Sequence, residues 1–203
     1  GLFRLSSEVW QAYATRHECE YKLWTADEVD TLIQLEAPAC VQNLYRVFRF
    51  VVQRAHVARF FILFKYGGLY ADLGVFPSLE TFPQVPLGLC KMLARTTRRS
   101  VRPRFEWEIE LIVADEGNEF ILKIFNDMSD AIAVKSQGVA YNGRPCRYIY
   151  NTTGPKLVGK TVQSHGYEPQ VTVFSIRRPV TDRSRVHTGE DSCDVWSLSS
   201  MSC

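Results

Sequence analysis

The sequence predicts a single α/β domain of 203 residues, in which a central β-sheet is flanked by helices. Apolar residues recur at helical spacing from Leu44 onwards, and this helix stops at the Gly67-Gly68 pair, where a short apolar strand follows. A second predicted strand, residues 21–24, is also followed at once by a helix start. Residues 105–111 alternate between glutamate and apolar side chains, and a further helix follows. Strands that alternate with helices are typical of α/β folds.

The N-terminal part of the chain predicts a helix, a strand and a second helix. Residues 1–20 indicate a helix that Ser6 or Ser7 caps, with a partial apolar face formed by Val9, Trp10 and Tyr13. Thr25, followed three residues later by Glu28, has the spacing of a capping box. The second helix is therefore expected to begin directly after Thr25.

The central stretch, residues 56–80, predicts the turn around which the chain is organised. The run from Phe60 to Phe64 is apolar on all sides, which indicates a helix end inside a core. The following glycine pair supplies the positive φ that ends a helix. Residues 69–76 then predict a buried strand that Pro77 stops, with Asp72 near its end. Ligands of α/β sheets gather beyond such strand ends, so Asp72 is a candidate site residue.

Composition and charge narrow the range of functions. The net charge of +2 gives no support for nucleic-acid binding, and 46% hydrophobic with 23% charged residues is ordinary for a globular domain. The basic residues 95–104 indicate either a solvated loop or a loop that faces an acceptor. No run approaches the roughly 18 apolar residues of a membrane span. The six cysteines show no zinc-site spacing, and their even number permits disulfides without requiring them.

The later part of the chain predicts strands at residues 87–93 and 170–175 and a turn at residues 116–119. Asn151-Thr152-Thr153 has the form of an N-glycosylation site, with a structural turn before a helix as the competing interpretation.

The pattern R-x-F-x-L-x-x-Y-G-G-x-Y-x-D resembles the core signature of glycosyltransferases that carry a DXD sugar-binding motif. These include glycosyltransferase family 32, with the fungal outer-chain mannosyltransferases, and the glucosylating toxins. The residues that match are Arg59, Tyr66, Gly67, Gly68, Tyr70 and Asp72. Leu-Trp-Thr upstream, Thr153-Gly154-Pro155 before the last helix, and a closing segment with His187 and Trp196 continue the resemblance in the same order. Two positions depart: His56 replaces an Asp, and Gly74 replaces the second Asp of DXD, giving Asp-Leu-Gly.

The resemblance implies a GT-A-like fold with a mainly parallel central sheet. It also implies one catalytic domain over residues 1–203, truncated at its N-terminus so that the family's first strand is lacking. Its implied donor-binding residues are His56, Arg59, Gly67, Gly68, Tyr70, Asp72 and Trp196. Asp72 is the implied catalytic residue, and Asp72 with His187 would hold Mn²⁺ or Mg²⁺ in a site weakened by Gly74, with Asp191 or Asp194 as substitutes. Such a cation stabilises charge on a diphosphate leaving group.

The function implied is transfer of a sugar from a UDP- or GDP-sugar to a glycan, lipid or protein acceptor, with retention. The alternative is a catalytically degenerate binding or scaffold module, which the changes at His56 and Gly74 favour. Each of four implied site residues also has a structural interpretation without a ligand. These are a hydrogen-bonded helix histidine at His56, a surface ion pair at Arg59, a helix cap at Asp72 and an exposed side chain at His187. The expected location is a Golgi or secretory lumen in a eukaryote, with an anchor outside this sequence, and otherwise the cytoplasm.

Overall fold

A computed structural model describes residues 1–77, 80–93, 105–136, 145–174 and 198–202. In these residues helices and strands follow one another in short runs. Their order is α1 Leu2–Arg16, β1 Glu20–Trp24, α2 Ala26–Glu36, α3 Ala39–Val47, α4 Val51–Tyr66, β2 Gly68–Asp72, β3 Leu87–Leu93, β4 Phe105–Ala114, α5 Glu119–Ser136, α6 Pro145–Thr152, α7 Pro155–Ser164, a 3₁₀ turn Glu168–Gln170, β5 Thr172–Phe174 and β6 Leu198–Ser202.

The strands form one six-stranded sheet in the order β1-β6-β2-β4-β3-β5. Strands β1, β2, β3 and β5 run in one direction, whereas β4 and β6 run in the opposite direction. The α/β fold, with a sheet flanked by helices, is therefore confirmed. Because β6 and β4 lie between strands of the other direction, the only parallel ladder among the described strands joins β3 to β5. The sheet is better described as mixed.

Apolar side chains cover both faces of the sheet. The larger core lies on the side of α2 to α5 and α7, where Phe60, Ile62, Phe120 and Val158 have no exposed surface. The smaller core lies on the other side, where α1 packs Trp10 against the sheet. Burial on both faces explains why β2 is an apolar strand and has no alternation of polar and apolar residues.

The helix that the sequence predicts from Leu44 is divided in two. Helix α3 ends at Val47 and α4 begins at Val51, with Phe48 in an extended conformation at ψ 123°. The Phe48 side chain is 3% exposed, so the break turns this ring into the core. Helix α4 then carries an almost unbroken run of buried residues from Val52 to Leu63, which confirms that it runs through the core.

The glycine pair makes the turn from α4 into β2. Gly67 has φ +64° and Gly68 has φ +89°, as the sequence predicts. A Cβ on Gly67 would lie 2.8 Å from the backbone nitrogen of Glu116, so this position requires glycine for space as well as conformation. The chain of the neighbouring turn approaches so closely that the Gly117 amide donates to the Phe64 carbonyl at 2.7 Å.

Strand β2 is shorter than predicted and ends at Asp72. The Val75 amide donates to the Asp72 carbonyl at 2.9 Å, which closes a turn. The Val75 carbonyl then accepts from the Trp10 indole at 2.8 Å and from the Ser6 hydroxyl at 3.1 Å. These bonds from α1 draw the chain out of the sheet. They also show that Ser6 lies inside α1, which begins at Leu2, and does not cap it.

Other local predictions are confirmed. Thr25 and Glu28 form the capping box of α2. Gly154 is the N-cap of α7 and Pro155 its first residue, as a Thr-Gly-Pro turn before a helix requires. Among the described residues, no helix has the length and apolar character needed to cross a membrane.

Candidate active site

Asp72 is the last residue of β2, and its carboxylate is held from two sides. The guanidinium of Arg59 lies 3.2 Å from Oδ1, measured from Nη2. The Tyr70 hydroxyl donates to the same oxygen. Tyr70 and Asp72 are two residues apart on a strand, so their side chains point to the same face. Because Asp72 is only 7% exposed, its orientation is set by these buried partners.

Arg59 is completely buried in the middle of α4. Its Nη1 donates to the Ile109 carbonyl, and its Cζ lies 4.6 Å from the centre of the Tyr70 ring. The alternative of a surface ion pair is therefore wrong, since this pair is inside the core. The guanidinium contacts the Asp72 carboxylate, the Ile109 carbonyl and the face of the Tyr70 ring. These buried contacts fix the position of Asp72.

A bulge in β4 lies beside this arginine. Leu89 of β3 pairs with Ile112, but the next residue, Cys90, pairs with Glu108. Three residues of β4, numbers 109–111, thus lie between two consecutive paired positions of β3. Bulges bend a strand and redirect its backbone groups. The carbonyl that Arg59 contacts belongs to this segment.

Burial sets the protonation of the neighbours of Asp72. Burial is the main cause that raises the pKa of Tyr70 well above its usual value, and Asp72 and Glu110 raise it further against the opposing effect of Arg59. Tyr70 therefore remains a hydroxyl donor at neutral pH. Burial likewise holds the pKa of His56 well below its usual value, and the positive charge of Arg59 lowers it further. His56 is therefore a neutral imidazole.

His56 joins α4 to the turn before α7. Its Nδ1 lies 2.9 Å from the Thr153 hydroxyl, and Gln53, one turn earlier, donates to the Thr152 hydroxyl at 2.8 Å. All four side chains are buried. This supports the structural interpretation of the turn over glycosylation, because the Thr153 hydroxyl is engaged inside the protein. It also agrees with the satisfied helix histidine as the role of His56.

Gly74 lies in the exposed turn after Asp72, and a Cβ built there meets no heavy atom within 4 Å. The described residues contain no group of three or more His, Cys, Asp or Glu side chains placed to hold a metal ion. Beside the Asp72 carboxylate, the DXD turn offers no second ligand, because Gly74 has no side chain. The other predicted metal ligands and donor-binding residue, His187, Asp191, Asp194 and Trp196, lie outside the described residues.

Three partners of the site were not identified from the sequence: the Ile109 carbonyl, Thr153 as the partner of His56, and the Gln53–Thr152 pair. The spacing of Gln53, His56 and Arg59, three residues apart along the buried part of α4, was the available signal. Polar side chains on a buried helix face need buried partners.

A groove of about 710 Å³ opens beside the turn that joins α6 to α7, and it lies between β4, α5, α6 and α7. Its rim carries charges of both signs, with Lys156 and Lys160 on α7 and Asp127 and Asp130 on α5. The Tyr150 hydroxyl donates to Glu106 at 2.6 Å at one end. Such a mixture of donors and acceptors suits a polar ligand with several hydroxyl groups.

Comparison with known proteins finds a family model that includes Asp72 and two curated relatives that each match part of the chain. Residues 6–86 match the family model described as glycosyltransferase sugar-binding region containing DXD motif. Over 56 residues, 28% of this chain, the sequence is 41% identical to inositol phosphoceramide mannosyltransferase 3 of Schizosaccharomyces pombe. Over 73 residues, 35% of this chain, it is 38% identical to mannosyl phosphorylinositol ceramide synthase CSH1 of Saccharomyces cerevisiae.

The matched stretches span only 15% and 19% of the lengths of these two relatives. Among solved structures, the chain is similar to the PaToxG glycosyltransferase, with a TM-score of 0.40 and 15% identity over 70% of this chain and 44% of that one. The family match includes α4, β2 and the turn at Gly74. The match over residues 6–86 agrees with the resemblance seen in the sequence and shows that this part of the chain is similar to the DXD-motif glycosyltransferases.

Proposed function

We propose that the protein transfers a sugar from a nucleotide-sugar donor to a glycan, lipid or protein acceptor, with retention of configuration. The observation that carries this proposal is the Asp72 carboxylate at the end of β2, fixed by Arg59 and Tyr70 within the family-matched segment. Both fungal relatives have names that describe mannosyl transfer, so a mannosyl donor comes first among UDP- and GDP-sugars.

Asp72 is the proposed donor-contacting group, because it is the acidic side chain at the strand end where ligands of α/β sheets bind. A carboxylate accepts hydrogen bonds from sugar hydroxyls, and a fixed carboxylate does so without reorganising. Arg59 and His56 act as positioning residues in this proposal. Arg59 holds the carboxylate, and His56 holds the turn that leads to α7.

A role for Mn²⁺ or Mg²⁺ stays a proposal from the family resemblance. The described residues do not make a complete divalent-cation site, since Asp72 is engaged by Arg59 and Tyr70 and Gly74 contributes no ligand. A bound cation would supply Lewis-acid stabilisation of the departing diphosphate. If the protein is eukaryotic, we propose a Golgi or secretory lumen as its location.

The groove lined by Lys156, Lys160 and Asp130 is the proposed acceptor site, because it opens beside the turn that His56 holds. We expect Lys160→Ala to raise the KM for acceptor several-fold and to leave donor hydrolysis unchanged. Lys123→Ala, a change outside this groove, is the control. Equal effects of both variants, or loss of donor hydrolysis with Lys160→Ala alone, would contradict this placement.

The experiment that tests the function is hydrolysis of a panel of UDP- and GDP-sugars by the intact protein, with Asp72→Asn as the matched control. We expect one donor to be hydrolysed and Asp72→Asn to reduce the rate at least about a hundredfold, the size of effect of one lost electrostatic group. Calorimetry with GDP, UDP and Mn²⁺ distinguishes sugar transfer from the alternative of a catalytically degenerate binding module. If the intact protein binds no nucleotide and hydrolyses no donor, the degenerate binding module that Gly74 favours is the better description.

A further inference from the structure

The junction between α3 and α4 exposes apolar and basic side chains next to each other. Val47 is the last residue of α3 and is 60% exposed, and Val51 is the first residue of α4 and is 48% exposed. Arg46 and Arg49, in the same short stretch, are exposed as well. These four side chains are called the junction surface. They stay outside because the chain bends at Phe48, whose ring occupies the core.

The segment that carries the junction surface is positively charged. The sequence has no Asp or Glu between Glu36 and Asp72, whereas the same interval contains four arginines and one lysine. An acidic side chain of the neighbouring helix, Asp30 of α2, accepts a hydrogen bond from Tyr45 of α3 at 2.6 Å. The positive charge of the junction surface is therefore not offset from within its own segment.

Helix α6 extends the same surface. The guanidinium carbon of Arg49 lies 6.0 Å from the centre of the Phe50 ring, and that ring lies 6.3 Å from the ring of Tyr148 on α6. Helix α6 has no acidic residue, and its Arg147 is exposed. An anionic partner at the junction surface therefore meets further positive charge, and no carboxylate, on α6.

The junction surface lies at the end of the sheet where Asp72 lies. Helix α4 runs over Val51–Tyr66 and β2 returns over Gly68–Asp72, so the two elements point in opposite directions. Arg59, which contacts Asp72, comes eight residues after Val51, about 12 Å along the helix. The start of α4 thus projects beyond the end of β2 that carries Asp72.

We propose that the junction surface docks the protein on a lipid bilayer with anionic headgroups. Arginine side chains bind headgroup phosphates and carboxylates, and basic groups are attracted to an anionic membrane surface. Apolar side chains beside them enter the boundary between headgroups and acyl chains. A bilayer offers both environments at one interface, whereas a nucleic acid would contact the arginines alone. The end of the sheet that carries Asp72 then faces the membrane.

Co-sedimentation of the intact protein with lipid vesicles tests the docking. This inference does not rest on sugar transfer, because vesicle binding needs no donor and is measured without one. We expect binding to vesicles made of equal parts phosphatidylserine and phosphatidylcholine, and little binding to vesicles of phosphatidylcholine alone. Binding to neither kind of vesicle, or equal binding to both, overturns the proposal.

Removal of the two arginines tests the charge. Arg46→Ala combined with Arg49→Ala should weaken binding to the anionic vesicles by roughly thirtyfold, at about fivefold for each arginine. The matched control is Arg4→Ala combined with Arg16→Ala, which removes the same charge from exposed positions of α1, on the other face of the sheet. The control should bind like the unsubstituted protein. Equal losses in the two double variants would show that only net charge matters, and the proposal would be wrong.

The valines distinguish insertion into the bilayer from attraction to its charge. Val47→Ser combined with Val51→Ser keeps every charge and should weaken binding on the order of tenfold, because two apolar side chains no longer leave water. Both positions are exposed, so the fold should tolerate the change. Unchanged vesicle binding by this variant would contradict insertion of the junction surface.

Photocrosslinking gives a readout that does not depend on weakened binding. Val51→p-benzoylphenylalanine should form adducts with lipids of the anionic vesicles on irradiation, detected by mass spectrometry of the protein. The control is Phe3→p-benzoylphenylalanine, at a position of α1 that is 53% exposed, and it should form none. Absence of lipid adducts at position 51, or equal adducts at both positions, overturns the proposal.

Discussion

Removing one partner of the Arg59–Asp72 pair leaves a charge inside the core, and this makes the pair the most informative site for mutation. Arg59 has no exposed surface and Asp72 is 7% exposed, with 3.2 Å between Nη2 and Oδ1. Breaking a buried pair by removing one partner costs about 3 to 5 kcal/mol, because the remaining charge is not compensated. We therefore expect Arg59→Met and Asp72→Asn each to lower the free energy of unfolding by about 3 to 5 kcal/mol.

The double variant separates this effect from a general loss of packing. With both charges removed, no unpaired charge stays buried, so the double variant should be more stable than the sum of the two single effects predicts. The expected coupling energy is about 2 kcal/mol or more, measured by urea unfolding at pH 7. Arg4→Met is the control, since Arg4 pairs with Glu8 at the surface, and it should leave the unfolding midpoint unchanged. Additive single effects would refute the reasoning.

Three further changes have distinct expected results. Gly74→Asp restores the second DXD carboxylate in open space, so Mn²⁺-dependent nucleotide binding should tighten at least about tenfold. Gly74→Asn is the uncharged control. Equal nucleotide binding by both variants would exclude a metal ligand at this position. The added methyl group of Gly67→Ala would collide with the Glu116 nitrogen, and the residue would have to keep a positive φ, so the free energy of unfolding measured in urea should fall by about 2 to 4 kcal/mol. Gly117→Ala, at φ +70° but with free space around its Cβ, should lower it by only about 1 kcal/mol. His56 stays neutral in the folded protein, whereas in the unfolded chain it binds a proton as the pH falls below about 6.5. The free energy of unfolding should therefore drop by about 1.4 kcal/mol between pH 7.5 and 5.5. His56→Gln should remove this part of the pH dependence, and an unchanged pH profile of that variant would contradict a neutral buried His56.

The sequence predicts the part of the site that depends on local spacing. Arg59 and Asp72 flank a glycine pair, which is a typical helix end, and the apolar strand predicted after it brings Asp72 back towards the helix. The Thr153-Gly154-Pro155 turn is predicted for the same reason, since Pro155 at the first position of a helix has local causes.

The parts that the sequence did not predict depend on distant pairing. The bulge at residues 109–111 arises from the register with β3, which no local pattern encodes. Strand β6, with the sequence Leu-Ser-Ser-Met-Ser, lacks the β-branched and aromatic residues typical of strands. It becomes a strand because β1 and β2 offer backbone groups on both sides. The break at Phe48 is similarly imposed by the core that receives its ring.

The position of β6 has a consequence for how the protein matures. Leu69 pairs with Met201, more than a hundred residues later, so the sheet cannot be completed until almost all of the described chain has left the ribosome. Until then β1 and β2 each present an unsatisfied edge to other nascent chains. Such high contact order slows folding and exposes intermediates to aggregation. A stop codon before Leu198 would therefore produce a protein that misassembles during synthesis.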